Sequence, residues 1–413
     1  MKLVKSLFLG SVAGLAAVAG AQAADLPSKK AAAVEYVRVC STYGAGFFYI
    51  PGTETCLRVG GRVRAEYRYL EPLTRAEDSI GFRARGRVQL DARTATAYGL
   101  LRTFVRLEIT RNTGVYAGGG VSSSAEAAQA FIQFGGLTAG RAPSFFVNQD
   151  LPTTNWGTVG GFYDFPDVNL LAYTFSFGNG FSASLSLEDG EGTNVAGAPY
   201  FSPAGERVPD VVANVKYAGT WGSAQLSGVV HQLRSAAIAG PTGLGFIPDT
   251  EYGWAVSGQV GINLPMIAAG DALWVAATYA DGALSYLGLG TSNSVGSTLA
   301  DVAEAYYNPV TGDIDTGAGW GVFAGIRHYW TPTIRQSLFG SYVSVSYDNS
   351  GSLIGLPDFN EWRVGSNLIW SPVSGLDIGV EVLYANMDRD PVGLVAGSSD
   401  DRWEGRLRIQ RDF

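Results

Sequence analysis

The sequence predicts an all-β protein: a membrane-spanning barrel of sixteen antiparallel strands with short turns at one end and long loops at the other. Three observations carry this. Apolar and polar residues alternate with period two over most of the chain. The connections between alternating runs are short and long by turns. Beyond the extreme N-terminus no uninterrupted apolar run is long enough for a spanning helix, although 46% of the 413 residues are hydrophobic and mean hydropathy is positive at +0.09. An apolar chain without spanning helices leaves the closed barrel as the membrane class, because only a closed sheet satisfies every backbone group in lipid.

Composition excludes other classes. Charged residues make up 16% and glycines number 55, against roughly 25% and about 7% in soluble domains. Five lysines (Lys2, Lys5, Lys29, Lys30 and Lys216) and a pI near 4.9 argue against a nucleic-acid partner, which needs a basic face. Aromatic and β-branched residues are too frequent for disorder.

Residues 1–23 read as a secretory signal peptide. Lys2 and Lys5 form the charged region, Leu7 to Ala19 the apolar region, and Ala21-Gln22-Ala23 the small-residue cleavage site. A short anchor helix is the competing reading. Residues 24–56 then form a periplasmic N-terminal segment holding both cysteines, Cys40 and Cys56. In an oxidising compartment this pair is expected to form a disulfide. Two cysteines and two distant histidines are too few ligands for a metal site, and no cofactor is expected.

The barrel is expected over 57–413. Its first run sets Leu57, Val59, Val63, Tyr67 and Tyr69 against Arg58, Arg62, Arg64, Glu66 and Arg68. The second sets Ile80, Phe82, Val88 and Leu90 against Arg83, Arg85, Arg87 and Asp91, and the third Leu101, Leu107 and Ile109 against Arg102, Arg106 and Glu108. Such alternation means one apolar and one wet face. Further runs occur at 125–134, 137–141, 168–177, 180–188, 210–218, 221–233, 253–262, 272–280, 319–329, 333–347, 360–371, 375–387 and 402–413. Short turns at Tyr98-Gly99, Gly135-Gly136, Gly178-Asn179-Gly180, Ala218-Gly219-Thr220, Thr331-Pro332 and Pro372-Val373-Ser374 alternate with long segments at 112–124, 142–167, 189–209, 234–252, 281–318 and 388–401. That asymmetry defines an outer-membrane barrel. Two stacked soluble sandwiches are the competing arrangement, since one soluble sheet of sixteen strands would curl or split.

The last strand turns Trp403, Leu407, Ile409 and the terminal Phe413 outward. An aromatic end of this kind resembles the address read by outer-membrane assembly machinery. Trp320, Trp330, Trp362, Trp370, Tyr384 and Trp403 fall near strand ends, where interfacial girdles in contact with lipid and lipopolysaccharide belong.

Two longer stretches, Val34-Glu35-Tyr36-Val37-Arg38-Val39-Cys40 and Tyr43 to Gly60 with its Tyr-Ile-Pro-Gly-Thr-Glu-Thr-Cys core, closely resemble the start of mature alphaproteobacterial general porins of the Brucella, Rhizobium and Bradyrhizobium type. Asn179-Gly180-Phe181, Pro209-Asp210-Val211-Val212 and Lys216-Tyr217-Ala218-Gly219 look like later signatures of the same family. The resemblance implies a homotrimeric, water-filled channel for passive diffusion of small hydrophilic solutes and ions. It also implies that the third long loop folds into the lumen. Outward small residues near the closure (Gly61, Ala65, Ala84, Gly86 and Ala92) are expected to allow close subunit packing, with 112–124 as a latch.

The alternation turns Arg62, Arg64, Arg68, Arg83, Arg85, Arg87, Arg102 and Arg106 to one side. Facing lipid near the midplane each would cost about 2–4 kcal/mol, so the lumen is their expected side. Ordinary salt bridges to Glu66, Asp91 and Glu108 are the plainer reading for any one of them. The third long segment, 142–167, contains Asp150, Asp164 and Asp167 and no Lys or Arg. It is the expected constriction loop, with Asp150 and Asp164 setting a transverse field against the arginines and Asp167 capping the next strand. No phosphate loop or catalytic triad is recognisable, so an enzyme is not expected. The alternatives are a substrate-specific channel for a sugar or an anion and, further off, a barrel adhesin or lipase.

Overall fold

The computed structural model describes residues 38–157, 167–190, 204–239, 245–288, 303–308, 311, 313–348, 355–391 and 398–413. The expected signal peptide lies outside these residues. No helix among them is long and apolar enough to cross a membrane. The barrel strands are β1 (Cys56–Leu70), β2 (Ile80–Thr96), β3 (Gly99–Gly114), β4 (Gly120–Phe134), β5 (Leu137–Pro143), β6 (Asp167–Gly178), β7 (Phe181–Glu188) and β8 (Asp210–Gly219). They continue as β9 (Gly222–Leu233), β10 (Glu251–Asn263), β11 (Ala272–Asp281), β12 (Ala318–Thr331), β13 (Ile334–Ser346), β14 (Phe359–Val373), β15 (Leu376–Arg389) and β16 (Ser398–Asp412).

Each strand pairs antiparallel with its sequence neighbours, and β16 closes the sheet on β1 from Arg62↔Asp412 to Leu70↔Glu404. Closure removes the two edges that an open sheet would leave unpaired. Phe413 completes the seam. Its amide donates to the Gly61 carbonyl at 3.0 Å, and the Gly61 amide donates to its carbonyl at 2.9 Å. A Cβ on Gly61 would meet the Phe413 ring at 2.3 Å. Gly61 therefore receives the chain's own C-terminal ring, which corrects the expectation that it leaves room for a neighbouring subunit.

The short-turn end follows local chemistry. Between β6 and β7 the backbone needs three successive positive φ angles, met by Gly178 (82°), Asn179 (51°) and Gly180 (86°), residue types that tolerate the left-handed region. On the other side β3 runs on to Gly114 and β4 begins at Gly120. The expected 112–124 loop is thus mostly strand, and its tip is only five residues long. The period-two pattern faded there because Ser122, Ser123, Ser124, Ala125 and Ala127 present little contrast between faces.

The outer face is apolar and bare, as the alternation requires: Val59, Val63, Phe82, Val88, Ile109, Leu185, Leu226 and Leu338 are all exposed. Toward the long-loop end Trp254, Tyr279, Trp320, Tyr342, Trp362, Tyr384 and Trp403 supply one aromatic each from β10 to β16. Rings touch in the pairs Trp254–Tyr279, Trp320–Tyr342, Trp362–Tyr384 and Tyr384–Trp403, with centroids 5.3 Å apart in the first and 4.9 Å in the last.

Cys40 and Cys56 form a disulfide. It closes a small hairpin in which Val39 bridges Phe48 and Tyr49 pairs with Cys56. Buried Phe47 packs under the Arg93 guanidinium, 4.9 Å from its ring centroid. Replacing both cysteines by serine is expected to remove about 3 kcal/mol of loop-closure stabilisation. Hydrogen exchange should rise across residues 38–55 while the barrel amides keep their protection.

Candidate functional site

The candidate site is the narrowed lumen, built from the inward face of β1–β4 and the segment that leaves β5. After Pro143 the chain turns inside the barrel and follows the wall from β7 round to β16. Buried carboxylates hold both ends of this path. Glu188 accepts the Ser144 hydroxyl at 2.6 Å and the Phe145 amide at 2.9 Å. Glu381 accepts the Trp156 and Gly157 amides at 2.8 and 2.5 Å. Between them Gln259 accepts the Asn148 amide at 2.6 Å and donates to the Phe146 carbonyl at 3.0 Å. Asn148 donates to Ser223 at 2.9 Å, and Asn367 donates to the Thr154 carbonyl at 3.0 Å. At the far end Arg406 donates to the Trp156 carbonyl at 2.5 Å, and Arg408 lies 4.4 Å from the Trp156 ring centroid.

Apolar packing reinforces the path. Phe146, Val147 and Leu151 join a buried cluster with inward-facing Val212, Val229, Trp274, Phe323, Phe339 and Leu383. Trp274 packs against Gly325, where a Cβ would meet the indole at 2.3 Å. Side chains thus pack the lumen on the β8–β15 side, whereas the inward arginines of β1–β3 stay partly exposed.

That remaining wall carries the arginines. Register places Arg62 directly opposite Arg87 and Arg64 opposite Arg85, an arrangement of like charges that needs screening. Carboxylates supply part of it. Arg62 binds Asp412 at 2.5 Å, Arg85 binds Glu108 at 3.1 Å, Arg87 donates to Glu108 at 2.6 Å, and Arg102 binds Asp91 at 2.9 Å. Arg68 binds Glu404 at 2.8 Å and is buried. Arg83 donates to Asn112 at 2.9 Å, with Glu66 at 3.9 Å, while Glu66 itself receives Arg408 at 2.5 Å. Arg64 has a neutral partner, Gln410, at 3.0 Å. The Arg106 Nε is buried with no hydrogen-bond partner among the described residues. Above the row, Tyr116 from the β3–β4 tip stacks its ring 4.0 Å from the Arg83 guanidinium.

The three loop acids have different placements. Asp150 lies on the inserted segment, half exposed, and pairs with Lys216 of β8 at 2.7 Å. Asp167 opens β6, where it accepts from Gln129 at 2.6 Å. Asp164 lies outside the described residues. Sequence reasoning missed Glu188, Glu381, Gln259 and Asn148, which hold the segment. Glu188, the one charged residue of β7, was the available signal.

Residues 25–404 match the family described as the porin subfamily. The porin Omp2b of Brucella suis biovar 1 is 32% identical over 432 residues, covering 99% of both chains. The outer-membrane channel DcaP of Acinetobacter baumannii superimposes with a TM-score of 0.66 at 16% identity, over 88% of this chain and 99% of its own. A trimer form of the Vibrio cholerae outer-membrane protein OmpT gives a TM-score of 0.51 at 8% identity, over 87% of this chain and all of its own.

Proposed function

The chain belongs to the porin family, and from that premise we propose where its channel is narrowest and how it assembles. It is an outer-membrane channel for passive diffusion. The proposed filter lies between the inserted segment and the row Arg62, Arg64, Arg83, Arg85, Arg87, Arg102 and Arg106. One observation supports this most: the segment is tied to the wall outside the row, at Glu188 on β7 and Glu381 on β15, and leaves the arginines facing the solute path. Asp150 and Asp164 are the proposed counter-charges. Planar-bilayer conductance with reversal potential in a salt gradient tests pore, size and sign together. Conductance that saturates with one sugar or anion would favour a substrate-specific channel instead.

The proposed assembly is a homotrimer joined through the β1–β4 face. On β4 only Ala130–Phe134 pair with β5, and Gly120–Ala127 are exposed. The aromatic belt of β10–β16 is replaced on β4 by Val121, Ser123, Ala125 and Ala127. A bare strand edge with small side chains suits another subunit better than lipid. Cross-linking in mild detergent from Ser123→Cys is expected to join subunits, and exclusively monomeric protein would contradict it. Cleavage after Ala23, recognition of Phe413 by assembly machinery and lipopolysaccharide at the aromatic belt complete the proposal. No catalytic role is proposed: His231 and His328 are each held by an aspartate, Asp210 at 2.7 Å and Asp271 at 2.6 Å.

A further inference from the structure

Above the constriction, a second cluster of buried ionisable groups joins the wall to the β11–β12 loop. His231 lies near the outer end of β9, and its Nδ1 sits 2.7 Å from Asp210 at the start of β8. The other Asp210 oxygen accepts the Tyr286 hydroxyl at 2.6 Å. Glu304, completely buried, accepts the Ser285 amide through Oε1 at 2.7 Å. Its Oε2 and the His231 Nε2 are both buried without a hydrogen-bond partner, 3.9 Å apart. Ser285 and Tyr286 come from one limb of the loop and Glu304 from the other. Leu284, Leu287, Ala303 and Ala305 are fully buried around them.

A bare imidazole nitrogen facing a bare carboxylate oxygen in such a setting costs about 1–3 kcal/mol per group, and more for the charge. One proton removes the conflict. On Nε2 it makes an imidazolium between two carboxylates; on Oε2 it makes a neutral acid beside the imidazole. We propose that a proton held between His231 and Glu304 latches the two limbs of the β11–β12 loop to the vestibule wall, and that its loss releases them.

Burial raises the Glu304 carboxyl above the ordinary range, with His231 opposing the shift. Burial and the neighbouring acids push the Tyr286 hydroxyl well up, so it remains a donor to Asp210. The charged and titratable groups facing the pair are Asp210 from β8, Glu188 from β7, Glu206 from the loop before β8, and Tyr286 and Tyr347. A carboxyl raised in the docked state stabilises docking fully below its ordinary range and loses that contribution as pH climbs through the docked value. The latch therefore holds in acid and loosens toward alkali.

Thiol labelling tests this without reference to conduction, so it can fail while the channel reading stands. Ala305→Cys places a buried thiol on the loop, Ala269→Cys in the exposed β10–β11 turn serves as the reference, and the native cysteines are oxidised. The ratio of maleimide labelling rates, Ala305→Cys over Ala269→Cys, is expected to rise about tenfold between pH 5 and pH 8. Glu304→Gln in the same background should flatten the rise, because an amide never loses the proton. His231→Phe should raise the ratio already at pH 5. A pH-independent ratio overturns the latch, as does a full rise in Glu304→Gln. A ratio that responds to EDTA at fixed pH would assign the cluster to a metal and also overturn it. Should Glu304→Gln fail to assemble, as judged by heat-modifiable mobility, the Ala305→Cys profile with and without His231→Phe decides alone.

Discussion

Arg85→Ser combined with Arg87→Ser is expected to turn the channel toward cations and widen it. Both guanidiniums lean on Glu108, which is buried and would be left as an unpaired acid on the wall. The double substitution thus removes two positive charges and uncovers a negative one. A unit charge about 4 Å from a permeating ion is worth about 1 kcal/mol in bulk water and about 4 kcal/mol at an effective permittivity of 20. The cation-to-anion permeability ratio should therefore rise about tenfold in 0.1 M salt and much less in 1 M, where the screening length falls to about 3 Å. Asp150→Asn should move the reversal potential the opposite way and by less, since its carboxylate is already paired with Lys216. Normally assembled variants with unchanged reversal potentials at low salt would place the narrowest point elsewhere.

Releasing the inserted segment should have the largest effect on size. Each clamp makes two hydrogen bonds to a buried carboxylate, Glu188 at one end and Glu381 at the other. At about 1.5–3 kcal/mol for a bond to a charged group, each clamp contributes about 3–6 kcal/mol. Phe146 and Leu151 add about 1.5–3 kcal/mol apiece by burial, so losing one clamp should fray one end only. Glu188→Ala with Glu381→Ala should let the segment leave the wall. Liposome swelling would then admit larger sugars than the parent admits, and open-channel current would become noisy. Glu381→Gln retains one acceptor oxygen and should behave between parent and alanine. An unchanged size limit in the double variant would mean that the apolar contacts alone hold the segment.

These experiments rest on features that were unequally visible in the amino-acid order. Asp150 could be placed on the loop from the connection lengths, yet its partner Lys216 sits on a strand 66 positions later and could not be named. The arginine row was readable, because Arg62, Arg64, Arg85 and Arg87 alternate with residues that tolerate lipid. Their pairings were not. Arg62 meets Asp412 across the closure, and Glu66 serves Arg408 from the last strand. The aromatic belt was readable at Trp320, Trp362 and Trp403, while its continuity across successive strands depended on register.

The number of strands, the side with short turns, the lipid-facing set and the disulfide were legible in the amino-acid order alone. All of these follow from local rules: period-two alternation, turn chemistry and the oxidising compartment. The packing of side chains across the β8–β15 side of the lumen was not legible there. Trp274, Phe323 and Phe339 point inward, where alternation alone predicts water, and are buried because Phe146 and Leu151 return on the inserted segment to cover them. Alternation shows that a residue's two faces differ; what covers the inner face depends on contacts between segments more than a hundred residues apart.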